Sequence, residues 1–291
     1  MLERKIENLA FKGGGVLGMA YSGAVEALEE QNILTGVKSV SGTSAGSTLA
    51  LMLSLGYNSD EIKQMVNATD FKKFEDGWNP IRITTHYGIY KGDFLLNWVK
   101  DIIEKKTKNP NITFSDLKKS GYKDLKVFAT DLTLGEVCEF SEEKTPDVIV
   151  AESIRASMSI PLFFSAWKFT NGVPNDHIYV DGGMLYNYPI SIYPPENTLG
   201  FYLYSDEKKD PNKKELKYDH LVQYIEQLLK TILNAQEINF LENDAEKAIS
   251  VIIDDLGISA VNFKINQEQK TALFNSGKKA TLAYFETAVK S

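Results

Sequence analysis

The sequence predicts an α/β fold in which helices cover a mainly parallel sheet. Two apolar, strand-like runs at residues 6–11 and 37–41 are separated by a helical pattern over residues 22–30. Strands that are joined by a helix over this distance pair in parallel, in a sheet that is covered on its faces. The chain has 291 residues, of which 43% are hydrophobic, so it can fill the core that such a fold requires.

Further helices and strands are predicted through the middle of the chain. Helices are expected where apolar residues recur every three or four positions, and strands where short apolar runs flank a turn. The predicted elements are, in order, a helix at residues 46–55 that stops at Gly56, a helix capped by Asp93 with Leu95, Trp98, Val99, Ile102 and Ile103 on one side, strands at 125–131 and 136–141 around Gly135, a helix at 147–158 ended by Pro161, and a short strand at 178–180.

The last third of the chain is predicted to be mainly helical. Its predicted elements are a core strand at residues 199–204, a charged surface linker at 205–217, a helix at 218–242, a strand at 248–253 and a helix at 267–289. We find no internal repeat. We therefore predict one domain over residues 1–291, with its motifs between about residues 8 and 188 and a helical C-terminal part over residues 218–291.

Composition excludes several classes of protein and site. The chain has 39 acidic and 32 basic residues, a net charge of -7. Nucleic-acid-binding proteins usually carry a basic surface, so this class is not indicated. Cys138 is the only cysteine, which excludes an internal disulfide and a thiolate metal cluster. A secretory signal and a run of about 18 apolar residues are both missing from the sequence. These features favour a cytoplasmic protein with peripheral membrane contact and leave signal-independent export open.

A candidate nucleophile lies where the second predicted strand meets the next helix. Gly42-Thr43-Ser44-Ala45-Gly46 fits the G-x-S-x-G pattern, in which small neighbours let the serine project from a strained turn at a helix N-terminus. Taken alone, the motif is equally typical of a glycine-serine connection without a catalytic role. Its position between a strand and a helix favours Ser44 as the nucleophile.

A glycine-rich turn follows the first predicted strand. Gly13, Gly14 and Gly15 can bring backbone N–H groups close to a developing oxyanion, and Gly18 ends the block. The block also satisfies the G-x-G-x-x-G pattern of dinucleotide-binding proteins. That site requires an acidic residue at the end of the second strand, where this chain has the Ser44 motif instead. An oxyanion hole is therefore the favoured interpretation.

The group that activates Ser44 has to be a base within hydrogen-bond distance. The three histidines are His86, His177 and His220, of which His177 is a possible neighbour of the site. Asp181 is the stronger candidate, because an apolar run precedes it and Gly182 and Gly183 follow it. A carboxylate at the edge of a core has a raised proton affinity and can act as a base. By itself, Asp-Gly-Gly is more often an ordinary turn.

Together these segments resemble the patatin-like phospholipase family. The similar blocks are residues 13–18, 42–46, 156–164 and 181–183, within about residues 8–188, and the helical ending is similar. The resemblance implies a three-layer α/β/α fold and a Ser-Asp dyad without histidine. It also implies hydrolysis of esters in phospholipids, lysophospholipids or neutral lipids without a metal. Family members often carry Arg or Lys where this chain has Leu17, which leaves the substrate preference open.

Three other features are predicted to be structural. Asp131 could be a second acid, but a hydrogen bond to the turn after its strand is the favoured role. Arg155 could contact a phosphate, and a surface or interlayer ion pair is at least as well supported. Phe71, Phe74 and Trp78 lie among lysines, a mixture that suits a membrane–water boundary or a lid and suits the edge of a core equally well. The core edge is the favoured interpretation.

We therefore expect a lipid acyl hydrolase of the phospholipase A or lysophospholipase type. An acyltransferase or a triacylglycerol lipase with the same dyad is the alternative among enzymes, and a lipid-binding module is the alternative outside them. No cofactor or metal is expected, because no ligand cluster is visible. The expected partner is a lipid at a membrane or micelle surface, and not a nucleic acid.

Overall fold

A computed structural model describes residues 5–204 and 221–288 of the chain. Within these ranges the backbone forms nine β-strands, seven of them in one sheet. The strands are β1 (Asn8–Phe11), β2 (Ser39–Thr43), β3 (Gly88–Tyr90), β4 (Asp124–Asp131), β5 (Glu136–Phe140), β6 (Leu162–Phe164), β7 (Tyr179–Asp181), β8 (Thr198–Tyr204) and β9 (Ser250–Asp254).

Ten α-helices connect and cover these strands within the same described ranges. They are α1 (Ala20–Glu30), α2 (Ala45–Ser54), α3 (Ser59–Ala68), α4 (Arg82–His86), α5 (Asp93–Thr107), α6 (Phe114–Lys119), α7 (Val150–Ser157), α8 (Leu221–Glu242), α9 (Asp244–Ala248) and α10 (Gln267–Ala288). Short 3₁₀ turns, including Gly15–Met19 and Phe71–Phe74, fill several of the connections.

The large sheet has the strand order β5-β4-β2-β1-β8-β9. Four neighbouring pairs are parallel, namely β4–β2, β2–β1, β1–β8 and β8–β9. Strands β5 and β7 both pair with β4 in the antiparallel sense. Strand β1 lies near the centre and is buried along its whole length, as expected for a parallel strand covered on both faces. The predicted α/β fold with a mainly parallel sheet and a helical C-terminal region is confirmed.

Helix α10 closes the fold by packing against α1. Two glycines make this contact close: a Cβ atom at Gly277 would overlap the carbonyl group of Ala20, and one at Gly23 would overlap that of Phe274. Leu273 of α10 is fully buried. The C-terminal helix is therefore part of the main hydrophobic core.

Local tertiary contacts change some of the predicted boundaries. The helix predicted from residue 147 begins at Val150, because Ile149 is extended and forms a bridge with Thr113. Asp93 is the first residue of α5 and makes no cap, since Gly92 occupies the N-cap position in a left-handed conformation. The two-stranded sheet of β3 and β6 was not predicted, because three-residue strands are too short to show a period.

Two predictions fall on residues outside the described ranges. They are the surface linker at residues 205–217 and the start of the helix predicted at 218–242, which includes His220. In the described part of the chain, no helix has both the length and the apolar character needed to span a bilayer.

Candidate active site

Strands β2 and β7 meet head-on beside β4. Strand β5 occupies one edge of β4 at residues 127–131, so β7 must pair with the opposite edge, which β2 occupies at residues 124–128. On that edge Thr43 is the partner of Phe128, and Asp181 is the partner of the next residue, Ala129. The chain that leaves β2 at Ser44 therefore faces the end of β7 at Asp181.

Ser44 occupies a strained turn between β2 and α2. Its φ and ψ angles are 51° and -125°, a region that residues other than glycine rarely adopt. The turn is so tight that a Cβ atom at Gly42 would overlap the backbone of Gly46. The Ser44 N–H donates to Ser157 Oγ at 2.8 Å, and Ser157 Oγ donates in turn to Phe128 O at 2.6 Å. Ser157 thereby ties the turn to β4.

The side chains of Ser44 and Asp181 are hydrogen-bonded to each other. Ser44 Oγ donates to Asp181 Oδ2 at 2.7 Å, and the N–H of Gly183 donates to the other carboxylate oxygen at 2.7 Å. Both residues are buried. Burial raises the pKa of the Asp181 carboxyl to about 7, although the hydrogen bonds from Ser44 and Gly183 act in the opposite direction. This carboxyl group can thus take up and release a proton near neutral pH.

The glycine-rich turn lies beside Ser44. The N–H of Gly13 donates to Asn187 O at 3.0 Å, and that of Val16 donates to Ala260 O at 2.9 Å. Between them, the N–H groups of Gly14 and Gly15 have no acceptor among the described residues. Gly15 has a φ of +54°, which favours glycine. Of the three glycines predicted to form an oxyanion hole, Gly13 thus uses its amide to hold the turn against Asn187, whereas Gly14 and Gly15 have amides that remain available.

Gly18 and Gly182 allow the backbone around the two side chains to pack closely. A Cβ atom at Gly18 would lie 3.1 Å from the Cβ of Ala45, the residue after Ser44. A Cβ atom at Gly182 would overlap the carbonyl oxygen of Phe128. These glycines therefore bring the first turn and the Asp181 turn close to the elbow at Ser44.

Two cavities meet at Ser44. The larger has a volume of about 690 Å³, which includes space open to solvent, and extends from Ser44 between α2, α3 and α5. Aromatic and aliphatic side chains line its far part, among them Ile62, Phe71, Phe74 and Trp98. The smaller cavity, of about 480 Å³, borders Gly14, Gly15 and Asp181.

Helix α8 holds both the Asp181 turn and the glycine-rich turn. Gln236 Nε2 donates to Gly183 O at 2.6 Å, and Gln236 Oε1 accepts from the N–H of Asn187 at 2.9 Å. The next residue, Glu237, forms a 2.8 Å ion pair with Lys12, the residue before the glycine-rich turn. Lys12 is buried, and its Nζ also donates to Leu203 O. Docking of α8 is thus coupled to the geometry of the site.

The described histidines are not bonded to Ser44 or Asp181. His86 is exposed beside Thr85, and His177 Nδ1 lies 2.6 Å from Asp131 Oδ2. The other carboxylate oxygen of Asp131 accepts from the N–H groups of Thr133 and Leu134, so its predicted turn-bonding role is confirmed.

The predicted ion pair of Arg155 is wrong. The residue is buried, and its guanidinium group donates to the carbonyl oxygens of Lys91, Gly92 and Ser165 and to Ser159 Oγ. No carboxylate accepts a hydrogen bond from it within the described residues. Arg155 therefore fixes the segment from Ser157 to Ser159. Ser157 accepts from the Ser44 N–H, and the carbonyl of Ser159 accepts from the Asp181 N–H. The position of Arg155 in the predicted helix did not indicate that its side chain is buried.

Sequence reasoning did not find Ser157, Asn187, Gln236 and Lys12 as parts of the site. Ser157 is within the block at residues 156–164 that resembles the family, and that block was the available signal. Gln236 lies 53 residues from Gly183, and no local pattern marks it. The described residues contain no group of three or more His, Cys, Asp or Glu side chains that could hold a metal ion.

Comparison with known sequences gives matches over most of the chain. The family model for patatin-like phospholipase matches residues 9–193. The protein YqhO of Bacillus subtilis (strain 168) is 32% identical over 290 residues, which cover 93% of this chain and 95% of YqhO. The probable lipid hydrolase 463L of invertebrate iridescent virus 6 is 26% identical over 194 residues, 64% of this chain and 62% of that protein.

Two solved structures show the same fold. VipD from Legionella pneumophila matches 97% of this chain with a TM-score of 0.66 and 20% identity, and the match covers 67% of VipD. ExoU, in its complex with SpcU from Pseudomonas aeruginosa, matches 99% of this chain with a TM-score of 0.55 and 18% identity. The match covers 53% of the ExoU chain.

Proposed function

Because the chain belongs to the patatin-like phospholipase family, we propose that it is a lipid acyl hydrolase that cleaves carboxylic esters through an acyl-enzyme on Ser44. Asp181 is the general base in this proposal. The observation that carries it is the 2.7 Å hydrogen bond between the buried Ser44 hydroxyl and the buried Asp181 carboxylate, at the junction of two apolar cavities. A serine paired with a base in this way is the arrangement of an activated nucleophile.

The proposed reaction has two halves. Ser44 Oγ attacks the ester carbonyl carbon while Asp181 Oδ2 takes the hydroxyl proton, and the free amides of Gly14 and Gly15 donate to the oxyanion that forms. The bond to the leaving alcohol then breaks, and Asp181 gives its proton to the alcohol oxygen. Water attacks the acyl-enzyme, Asp181 takes the proton of the water, and the carboxylic acid is released as Ser44 Oγ recovers its proton.

Two features of the site support a lipid substrate. The larger cavity begins at Ser44 and is lined by apolar side chains, so it can hold the acyl chain of an ester whose carbonyl lies at the nucleophile. Leu17 is buried where many family members carry a cation, so this position provides no charge for an anionic head group. We propose that the acyl chain, more than the head group, determines binding.

A covalent probe tests the proposal directly. A fluorophosphonate is expected to label Ser44 alone and to inhibit hydrolysis of a soluble ester in proportion to labelling. Ser44→Ala should lose both the label and the activity, with Ser47→Ala as the control, because the hydroxyl of Ser47 donates to the carbonyl oxygen of Ser44 rather than to Asp181. Undiminished labelling of Ser44→Ala would contradict the assignment. Mass analysis of a mixed lipid extract after incubation then identifies the released fatty acids and lysolipids.

A further inference from the structure

An exposed apolar loop projects beside the larger cavity. Ile81 and Trp78 are 73% and 64% exposed, the highest values among the large hydrophobic side chains of the described residues, and Tyr87 is 49% exposed. We call residues 77–87 the apolar loop. Single exposed hydrophobic residues are ordinary on protein surfaces, but three in eleven positions form a concentrated feature.

The apolar loop is closed at its base. The N–H of Asn79 donates to Ile89 O at 3.1 Å, and the N–H of Lys91 donates to Asp76 O at 3.0 Å. The carboxylate of Asp76 also accepts from the N–H groups of Gly92 and Phe94 at 2.6 and 2.8 Å. The exposed side chains are therefore presented by a segment with a fixed base rather than by a loose connection.

The loop is joined on both sides to segments that line the larger cavity. The turn before it contributes Phe71 and Phe74 to the lining. After the loop, Tyr87 O accepts from the N–H of Leu162, and β3 pairs with β6, whose Phe164 also lines the cavity. The loop thus lies next to the space in which the proposed function places the acyl chain.

Cations lie near the apolar residues in the sequence. Residues 71–91 contain Lys72, Lys73, Arg82 and Lys91 against two carboxylates, although the whole chain has a net charge of -7. None of these four cations forms an ion pair with a described residue, and Arg82 Nε is buried without a hydrogen-bond partner there. Both carboxylate oxygens of Asp76 are engaged by backbone N–H groups, so this acid does not neutralise the cations by direct contact.

We infer that the apolar loop is a docking surface for a lipid bilayer that contains anionic lipid. Trp and Tyr side chains suit the boundary between head groups and acyl chains, an isoleucine can enter the acyl region, and unpaired cations meet lipid phosphates. Docking here would bring the mouth of the acyl cavity close to the membrane. The role of this docking in catalysis rests on the proposed function, but vesicle binding itself can be measured without any hydrolysis.

Vesicle binding of the full chain tests the inference. Ser44→Ala protein is mixed with vesicles of phosphatidylcholine with or without phosphatidylglycerol, and bound protein is measured by flotation. Burying one large apolar side chain is worth about tenfold in affinity, so Trp78→Ser/Ile81→Ser in this background is expected to bind at least about tenfold more weakly. Lys72→Gln/Arg82→Gln should lose about fivefold per cation, and only on vesicles with phosphatidylglycerol.

A matched control removes exposed apolar surface elsewhere. Ile238→Ser/Leu241→Ser replaces two exposed residues of α8, which are 57% and 37% exposed, and should leave vesicle binding unchanged. Trp78 is also the most exposed of the tryptophans, so lipids brominated on their acyl chains should quench its fluorescence and have a much smaller effect on Trp78→Phe. Full binding by Trp78→Ser/Ile81→Ser, or an equal loss in the α8 control, would overturn the inference.

Activity assays separate this inference from the proposed function. With Ser44 intact, Trp78→Ser/Ile81→Ser should hydrolyse a monomeric soluble ester within about twofold of the unmodified protein and lose activity on vesicles in parallel with binding. If the unmodified protein hydrolyses no soluble ester, the proposed function fails while the vesicle-binding result still decides the docking surface.

Discussion

The carboxylate of Asp181 is held in conditions that favour proton transfer. It is buried, it accepts hydrogen bonds from Ser44 Oγ and the Gly183 N–H, and its pKa is raised to about 7 by burial. The described histidines lie elsewhere, and His177 is bonded to Asp131. If Asp181 is the base, the chemistry of the site depends on this single titrating group.

Asp181→Asn should therefore reduce hydrolysis of a soluble ester by roughly 10²–10⁴-fold, the usual cost of removing a general base. The amide has almost the same shape and can hydrogen-bond Ser44, but it cannot accept a proton. His86→Ala and His177→Ala should each keep most of the activity, as measured by kcat/KM. An inactive, folded histidine variant together with an active Asp181→Asn would show that the dyad assignment is wrong.

The rate should also follow the ionisation of Asp181. The base is active when ionised, so kcat/KM is expected to fall about tenfold per pH unit below about 7 and to level off above it. A soluble ester and constant ionic strength keep membrane binding out of the profile. A rate that stays constant from pH 5 to 8 would contradict the assignment of Asp181.

The raised pKa of Asp181 should make the folded protein less stable as pH rises, whereas it makes the rate increase with pH. Between the ordinary value of 3.8 and about 7, the folded state keeps a proton that the unfolded state has lost, so the free energy of unfolding decreases as pH rises through this interval. Asparagine carries no charge at any of these pH values. Asp181→Asn is therefore expected to unfold at a higher temperature than the unmodified protein at pH 8, with a smaller difference at pH 5, as measured by calorimetry. Equal differences at both pH values would contradict this linkage.

Helix α8 connects the two halves of the site through adjacent residues. Gln236 holds the turn after Asp181 and the backbone of Asn187, and Glu237 holds Lys12 at the start of the glycine-rich turn. Gln236 lies 53 residues beyond Gly183 in the sequence, so the contribution of the helix depends on docking and not on local geometry.

Gln236→Ala should lower kcat by about ten- to a hundredfold, because small displacements of a positioned group are costly in rate. The rate of fluorophosphonate labelling should fall with kcat, while the KM for a soluble ester changes little. Asn239→Ala removes an exposed amide from the same helix and should leave both rates unchanged. A loss of thermal stability without slower labelling would assign Gln236 a structural role alone.

The whole fold depends on close contact between its first and last α-helices. Gly277 of α10 touches the backbone of Ala20 in α1, and the buried Leu273 extends the contact into the core. Because more than 230 residues separate these helices in the chain, their packing links the motif-bearing part to the C-terminal region.

Gly277→Val should therefore destabilise the protein by about 1–3 kcal/mol, since the added side chain must push the two helices apart. Lys279→Val on the exposed side of α10 tests the cost of a β-branched residue alone and should lose only a few tenths of a kcal/mol. Denaturant unfolding measures both. Similar losses in the two variants would show that the α1–α10 contact is not tightly packed.

Much of the local structure followed from the sequence by itself. Strand β1, the elbow at Ser44 and the turn at Asp181 were predictable, because apolar runs and flanking glycines restrict the backbone over only a few residues. The hairpin of β4 and β5 was predictable for the same reason. In contrast, the short strands β3 and β6 and the buried position of Arg155 left no periodic signal.

Tertiary structure alone decided how these pieces meet. Ser44 and Asp181 are 137 residues apart, and they come within 2.7 Å because β2 and β7 share one edge of β4. The same packing selected Ser157 and Gln236 as supports and left the amides of Gly14 and Gly15 without an acceptor among the described residues. Contacts of this kind depend on strand order and helix docking, which are collective properties of the fold and are not encoded in any short segment.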